Sequence, residues 1–120
     1  AQLETAPQLI LVDCLTLWVT NELLASEAEI ERRLVCQMDL LMEWTQLHDI
    51  DLIFVSNEVG LGIVPENALA RRFRDLLGIV NAHVAQNADK VYWMVAGLPL
   101  EVKSISLASR AVAQRGGNAD

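Results

Sequence analysis

At 120 residues the chain has room for one domain. Its net charge of −7 and pI of about 4.7 exclude non-specific binding to nucleic acid or acidic membranes, so an anionic ligand needs local basic groups or backbone donors. A hydrophobic content of 52% with mean hydropathy +0.28 implies strands buried on both faces, or apolar surface that belongs to a partner or another segment.

Leu9 to Val12 read as a first strand, closed by Asp13. An apolar strand ending in Asp suits a carboxylate that orients Mg²⁺ or its water against phosphates. It equally suits a cap for the helix starting near Leu15. Thr16 sits where a hydroxyl could touch nucleotide or serve the helix. Leu17 to Leu24 continue a short apolar helix. From Ile30 to Leu47 the apolar residues Ile30, Leu34, Met38, Leu40, Leu41 and Trp44 follow the spacing of one helix face, with Met38, Met42 and Trp44 expected in the core. His48 falls at the helix end, where a cation is favoured.

Leu52 to Ser56 form a second strand of apolar or small residues, too short for a helix, ending in Asn57 and Glu58. Asn offers a donor and an acceptor, and Glu can hold water or metal. Gly60 and Gly62 permit positive φ or close ligand approach, and Pro65 suits a first helical turn. Strand, polar tip, glycine loop and helix is the layout of an open α/β sheet, whose ligands sit at the carboxyl ends of strands. The helix opened by Pro65 is expected to run to about Gln86, burying Leu69, Phe73, Leu76, Leu77 and Val80. Arg71, Arg72 and Arg74 near its start are the best local counter-charge for phosphate; a solvated Arg71–Asp75 pair is the competing account. Val91 to Ala96 make a third strand, and Glu101 to Asp120 a weakly helical tail.

No apolar run approaches the ~20 residues of a membrane span, and AQLETAPQ lacks the basic and apolar regions of a secretory signal. Cys14 and Cys36 fit no metal or disulfide spacing, so buried free thiols in a reducing cytoplasm are expected.

Three segments carry a resemblance. SNEVGLGIVPENALARRFRDLLG (Ser56 to Gly78), LVDCLTLWVTN (Leu11 to Asn21) and NADKVYWMVAGLPL (Asn87 to Leu100) are similar, in the right order, to the bifunctional adenosylcobinamide kinase / adenosylcobinamide-phosphate guanylyltransferase family. The similarity spans roughly Leu9 to Lys103, and Arg71, Arg74, Asp75 and Asn81 match the family pattern. Ile79, Ala82 and His83 depart from it. The family's glycine-rich phosphate loop, of the form GGxRSGKS, does not occur here, and its guanylylated histidine lies upstream of the matched part. The resemblance therefore implies an α/β, P-loop NTPase (RecA-like) parallel sheet with helices on both faces, lacking the first strand and P-loop. Residues 1–103 would be the carboxyl-terminal part of one nucleotide-binding domain, and 104–120 a weakly structured tail.

The implied activity belongs to cobalamin biosynthesis in the cytoplasm. It comprises ATP- or GTP-dependent phosphorylation of adenosylcobinamide, then GTP-dependent guanylylation of the phosphate, by a homo-oligomer. The implied roles are Asp13 for Mg²⁺, Asn57 and Glu58 at the reacting phosphate, and Thr16, Arg71 and Arg74 on the nucleotide. A non-catalytic nucleotide- or corrinoid-binding module, or a structural fragment, is the alternative.

Overall fold

Two short runs of β-rich apolar sequence form the scaffold of the computed structural model, which describes residues 8–107. β1 (Leu9–Asp13) and β2 (Asp51–Val55) pair in parallel, in register from Leu9↔Asp51 to Asp13↔Val55. Parallel pairing requires a crossover, and α1 (Leu15–Ala25) and α2 (Ile30–Leu47) supply it. α3 (Ala68–Asn87) follows β2. The chain divides into two compact units, Ala1–Val84 and Ala85–Asp120.

The core of the first unit is helical in origin. Leu15, Val19 and Leu23 of α1, Ile30, Leu34 and Met38 of α2, and Leu76, Leu77, Val80 and Val84 of α3 are buried together. Val12 and Phe54, from the inner face of the strand pair, pack against them. The i, i+4 and i+8 spacings of α1 and α2, and of Leu76, Val80 and Val84 in α3, put each set on one helix face, which drives burial. In α2 that face continues to Thr45, whose hydroxyl is satisfied by the carbonyls of Leu41 and Met42 at 3.0 and 2.9 Å. Leu40 and Trp44 point elsewhere and are 61% and 45% exposed, so the expectation of a core Trp44 is corrected. Arg33 clasps the α1–α2 turn, bonding the Ala28 and Ser26 carbonyls and pairing with Glu22 at 3.1 Å.

The strands are buried on one face only. Exposure alternates along both, and Leu9, Leu11, Ile53 and Val55 on the outer face are 41–58% exposed. Among the described residues of this unit, all three helices contribute to the single core on the inner face. The expected helices on both faces are not seen here. The continuous apolar run was a sound strand signal, but it does not say which face a helix covers. α3 also begins later than expected. Asn67 is its cap, with Oδ1 accepting from the Leu69 and Ala70 N–H groups at 2.8 and 3.2 Å. Leu69 is consequently exposed. The thiols are free, Cys14 half-buried and Cys36 exposed rather than buried.

In the second unit β3 (Tyr92–Val95) pairs antiparallel with β4 (Leu98–Glu101), where a parallel third strand over Val91 to Ala96 is expected from the sequence. The reason is local. Ala96 and Gly97 have φ of 50° and 75°, the two positive values of a tight hairpin turn whose twist matches its strands. Pro99 is tolerated because β4 is an edge strand. Glu101 closes the hairpin base: Oε1 accepts from the Val91 and Lys103 N–H groups and Oε2 from Ser104. The expected tail lies outside the described residues from position 108 on. No described helix is long and apolar enough to cross a membrane.

Truncating Leu77, which is fully buried, to alanine is expected to cost about 2–5 kcal/mol by denaturant unfolding. Hydrogen bonds from the Val91 backbone first, then from Ser104, lower the Glu101 pKa from 4.5 to about 2. Because the folded value is depressed, the contribution is present above pH 4.5 and is lost as pH falls toward 2. The hairpin amides should therefore lose exchange protection across that window, and Glu101→Gln should flatten the dependence.

Candidate functional site

Parallel pairing puts the carboxyl ends of β1 and β2 at one edge, so Asp13 and the residues following Val55 emerge side by side. Asp13 is exposed there. The competing cap role is not the one it plays: Cys14 is the N-cap of α1 and no side chain caps that terminus. Among the described residues the Asp13 carboxylate has no hydrogen-bond or ion-pair partner. Thr16 lies in the first turn of α1, half-buried.

The tip of β2 reaches across to it. Asn57 Nδ2 donates to Thr16 Oγ1 at 2.8 Å, joining residues 41 apart in sequence. Asn57 is held in turn from α3, where Asn81 Nδ2 donates to the Asn57 carbonyl at 2.9 Å. Asn81 Oδ1 accepts from Ser56 Oγ at 2.5 Å. Three elements thus converge on one strand tip. In the sequence Asn57 and Thr16 stand out separately, and nothing there assigns a role to Ser56 or Asn81. A usable signal existed: Arg74, Gly78 and Asn81 recur at i, i+4 and i+7, a polar and small stripe on one face of α3.

Glu58 and the arginines serve the loop between β2 and α3. Glu58 Oε1 accepts from the Gly60 N–H at 2.7 Å, and Arg74 Nη2 donates to the Gly60 carbonyl at 2.9 Å. Both polar groups of Gly60 are therefore held by side chains. A Cβ on Gly60 would meet Glu58 Oε1 at 3.0 Å, so close approach, not positive φ, is what glycine permits there. Arg71 donates to the Pro65 and Glu66 carbonyls at 2.9 and 2.5 Å, and no Arg71–Asp75 pair forms. Arg72 pairs with Glu31 of α2 at 3.0 Å. The structure brings Thr16 and Asn57 into contact beside Asp13. It engages Glu58, Arg71 and Arg74 with the loop backbone.

A lone carboxylate without a protein partner suits Mg²⁺, which takes one or two carboxylates and completes its shell with water and phosphate oxygens. Asp13 would be its protein side, with the Thr16 hydroxyl close by. Among the described residues no group of three or more His, Cys, Asp or Glu gathers to hold a metal by itself. Two shallow grooves flank α1. One, lined by Asp13, Cys14, Leu17, Asn21 and Glu22, opens beside the strand tip. The larger, lined by Trp18, Gln37, Leu40, Leu41, Glu43, Trp44 and Leu47, is mostly apolar, and it includes none of Asp13, Thr16, Asn57 or the arginines.

Arg74→Ala leaves the Gly60 carbonyl without its guanidinium. Backbone exchange over residues 58–66 should rise several-fold, while global stability changes by less than about 1 kcal/mol. Hydrogen exchange with a parallel denaturant titration reads both.

The family model described as cobinamide kinase / cobinamide phosphate guanyltransferase matches residues 1–102. The bifunctional adenosylcobalamin biosynthesis protein CobP of Pseudomonas aeruginosa is 41% identical over 98 residues, covering 82% of this chain and 55% of that protein. The protein named CobU, with the same description, is 39% identical in Salmonella typhimurium over 104 residues, covering 78% of this chain and 58% of the relative. Its Escherichia coli counterpart is 33% identical over 106 residues, with 80% and 59% covered. The chain thus spans between half and two thirds of the length of these relatives.

Proposed function

Because the chain belongs to the cobinamide kinase / cobinamide phosphate guanyltransferase family, we propose that it works in cobalamin biosynthesis as part of a two-step transferase. In the first step the aminopropanol hydroxyl of adenosylcobinamide attacks the γ-phosphorus of ATP or GTP. The bond to the β,γ-bridging oxygen breaks and the diphosphate leaves. In the second step the family's upstream histidine takes the GMP group from GTP, expelling pyrophosphate, and the new phosphate then displaces that histidine, giving adenosyl-GDP-cobinamide. A RecA-like sheet completed by the family's P-loop strand is the architecture this reading requires, since a phosphate cradle is not among these residues.

The observation that carries the reading is the 2.8 Å bond from Asn57 to Thr16 beside the unpartnered Asp13 carboxylate. It supports a polar strand-tip site of the kind phosphoryl transfer uses, where catalysis is positioning and charge stabilisation. Asp13 would hold Mg²⁺ there, and the bound ion would supply neutralisation of phosphate charge. Asn57 and Glu58 face the reacting phosphate, with the Asn57 Oδ1 as an acceptor for the hydroxyl or an ordered water. Thr16 contacts nucleotide. Arg71 and Arg74 reach an anion by exchanging loop carbonyls for phosphate oxygens, a stronger charge-assisted bond. The enzyme is a cytoplasmic homo-oligomer, and the exposed Leu40, Trp44 and Leu47 of α2 are the surface that supports self-association.

Calorimetry of GTP with Mg²⁺, on this chain and on the protein expressed from its complete reading frame, tests the reading together with turnover of adenosylcobinamide. Magnesium-dependent phosphorylation is expected, and Asp13→Asn should lower it by about 2–4 kcal/mol of transition-state stabilisation. Nucleotide binding without turnover would instead favour a non-catalytic binding module.

A further inference from the structure

The amide of Asn81 has a single workable orientation, and that orientation fixes the neighbouring residue. The Asn57 carbonyl can only accept, so the NH₂ group of Asn81 must face it, at 2.9 Å. The Asn81 oxygen then accepts from the Ser56 hydroxyl at 2.5 Å. Asn57 and Ser56 lie on exposed chain just past the last paired residue of β2, where no ladder bond holds them. Asn81 lies on the helix turn whose neighbours Leu77, Val80 and Val84 are buried, so its backbone is fixed by the core. The contact transfers that rigidity to the strand tip. The Asn57 side chain, pointed across to Thr16 at 2.8 Å, is its output.

We propose that Asn81 is a positioning residue for the phosphoryl-transfer step, acting through Asn57 and not on substrate. This rests on the function proposed above. Holding the 57 peptide removes a backbone rotation that the site would otherwise have to freeze during each turnover. Of the two contacts Asn81 makes, the one to the Asn57 carbonyl carries the effect. Aspartate at 81 cannot supply it, since its carboxylate would face that carbonyl with no donor.

The test uses the protein expressed from its complete reading frame. Asn81→Ala and Asn81→Asp should each lower kcat for phosphorylation of adenosylcobinamide by roughly tenfold to a hundredfold, the scale of a small misplacement of a reacting group. KM for the nucleotide should stay within about threefold. Ser56→Ala, which keeps the Asn57 contact, should stay within about threefold in both. In an Asn57→Ala background, Asn81→Ala should add nothing, because its route is already cut. Multiplicative losses in the double variant, or a lowered thermal midpoint with kcat preserved, would overturn the proposal. The ¹⁵N signals of the Asn57 side-chain amide, read without substrate, decide the geometry independently. They should shift in Asn81→Ala and Asn81→Asp but not in Ser56→Ala; no shift in any variant overturns the proposal. A wild-type protein without kinase turnover would sink the functional reading instead, leaving that amide signal to judge the contact.

Discussion

The parallel pairing of β1 with β2, in register to Asp13↔Val55, is the constraint on which the site depends. Side chains alternate along a strand, so a one-residue slip of β1 against β2 would turn Val12 outward and bring Asp13 into the core. Burying that carboxylate unpaired costs several kcal/mol, in addition to the packing lost at Val12. The core of α1, α2 and α3 therefore selects the register as well as supplying stability. With register fixed, the polar residues after each strand must emerge together. The Asn57–Thr16 bond follows from the pairing more than it causes it.

The second organising feature is how an acidic chain, at net charge −7, uses its few cations. Arg33 is spent on the α1–α2 turn, Arg71 on the entry to α3, and Arg74 on Gly60. Each guanidinium satisfies carbonyls that a helix end or loop leaves unpaired. The loop between β2 and α3 is consequently held by side chains rather than by regular backbone bonds. Such bonds exchange more readily than a helix or strand ladder. A segment of this kind suits a site that must accommodate ligand without disturbing the core beneath it.

Much of this was legible in the residues, and the exceptions have identifiable causes. LILVD and LIFV announced two strands, and the polar residues that close them announced a site edge. The periodicity of Ile30, Leu34 and Met38 announced α2. Trp44 fits the three-and-four spacing loosely, whereas Thr45, seven residues after Met38, holds the inner position. Pro65 suggests a helix start that Asn67 supplies, since the Asn67 Oδ1 accepts from two N–H groups of the first turn. The third strand was identified, but its pairing turned on Ala96 adopting positive φ, which a small unbranched residue does not advertise. Arg71 and Arg74 were visible as a basic cluster. Their carbonyl partners were not, because those contacts depend on the loop's path. Asn81 was hidden for a similar reason: its partners come from a strand tip 24 and 25 residues away.

Mapping GTP with Mg²⁺ onto the backbone amides of the ¹⁵N-labelled protein, expressed from its complete reading frame, tests the central claim most directly. That claim is that the joined strand tips form the nucleotide phosphate site. The account predicts the largest shifts over Asp13 to Thr16 and Ser56 to Gly60, with the Asn57 side-chain amide among them. Shifts confined to the apolar groove of Trp18 and Trp44, or to the β3–β4 hairpin, would contradict it.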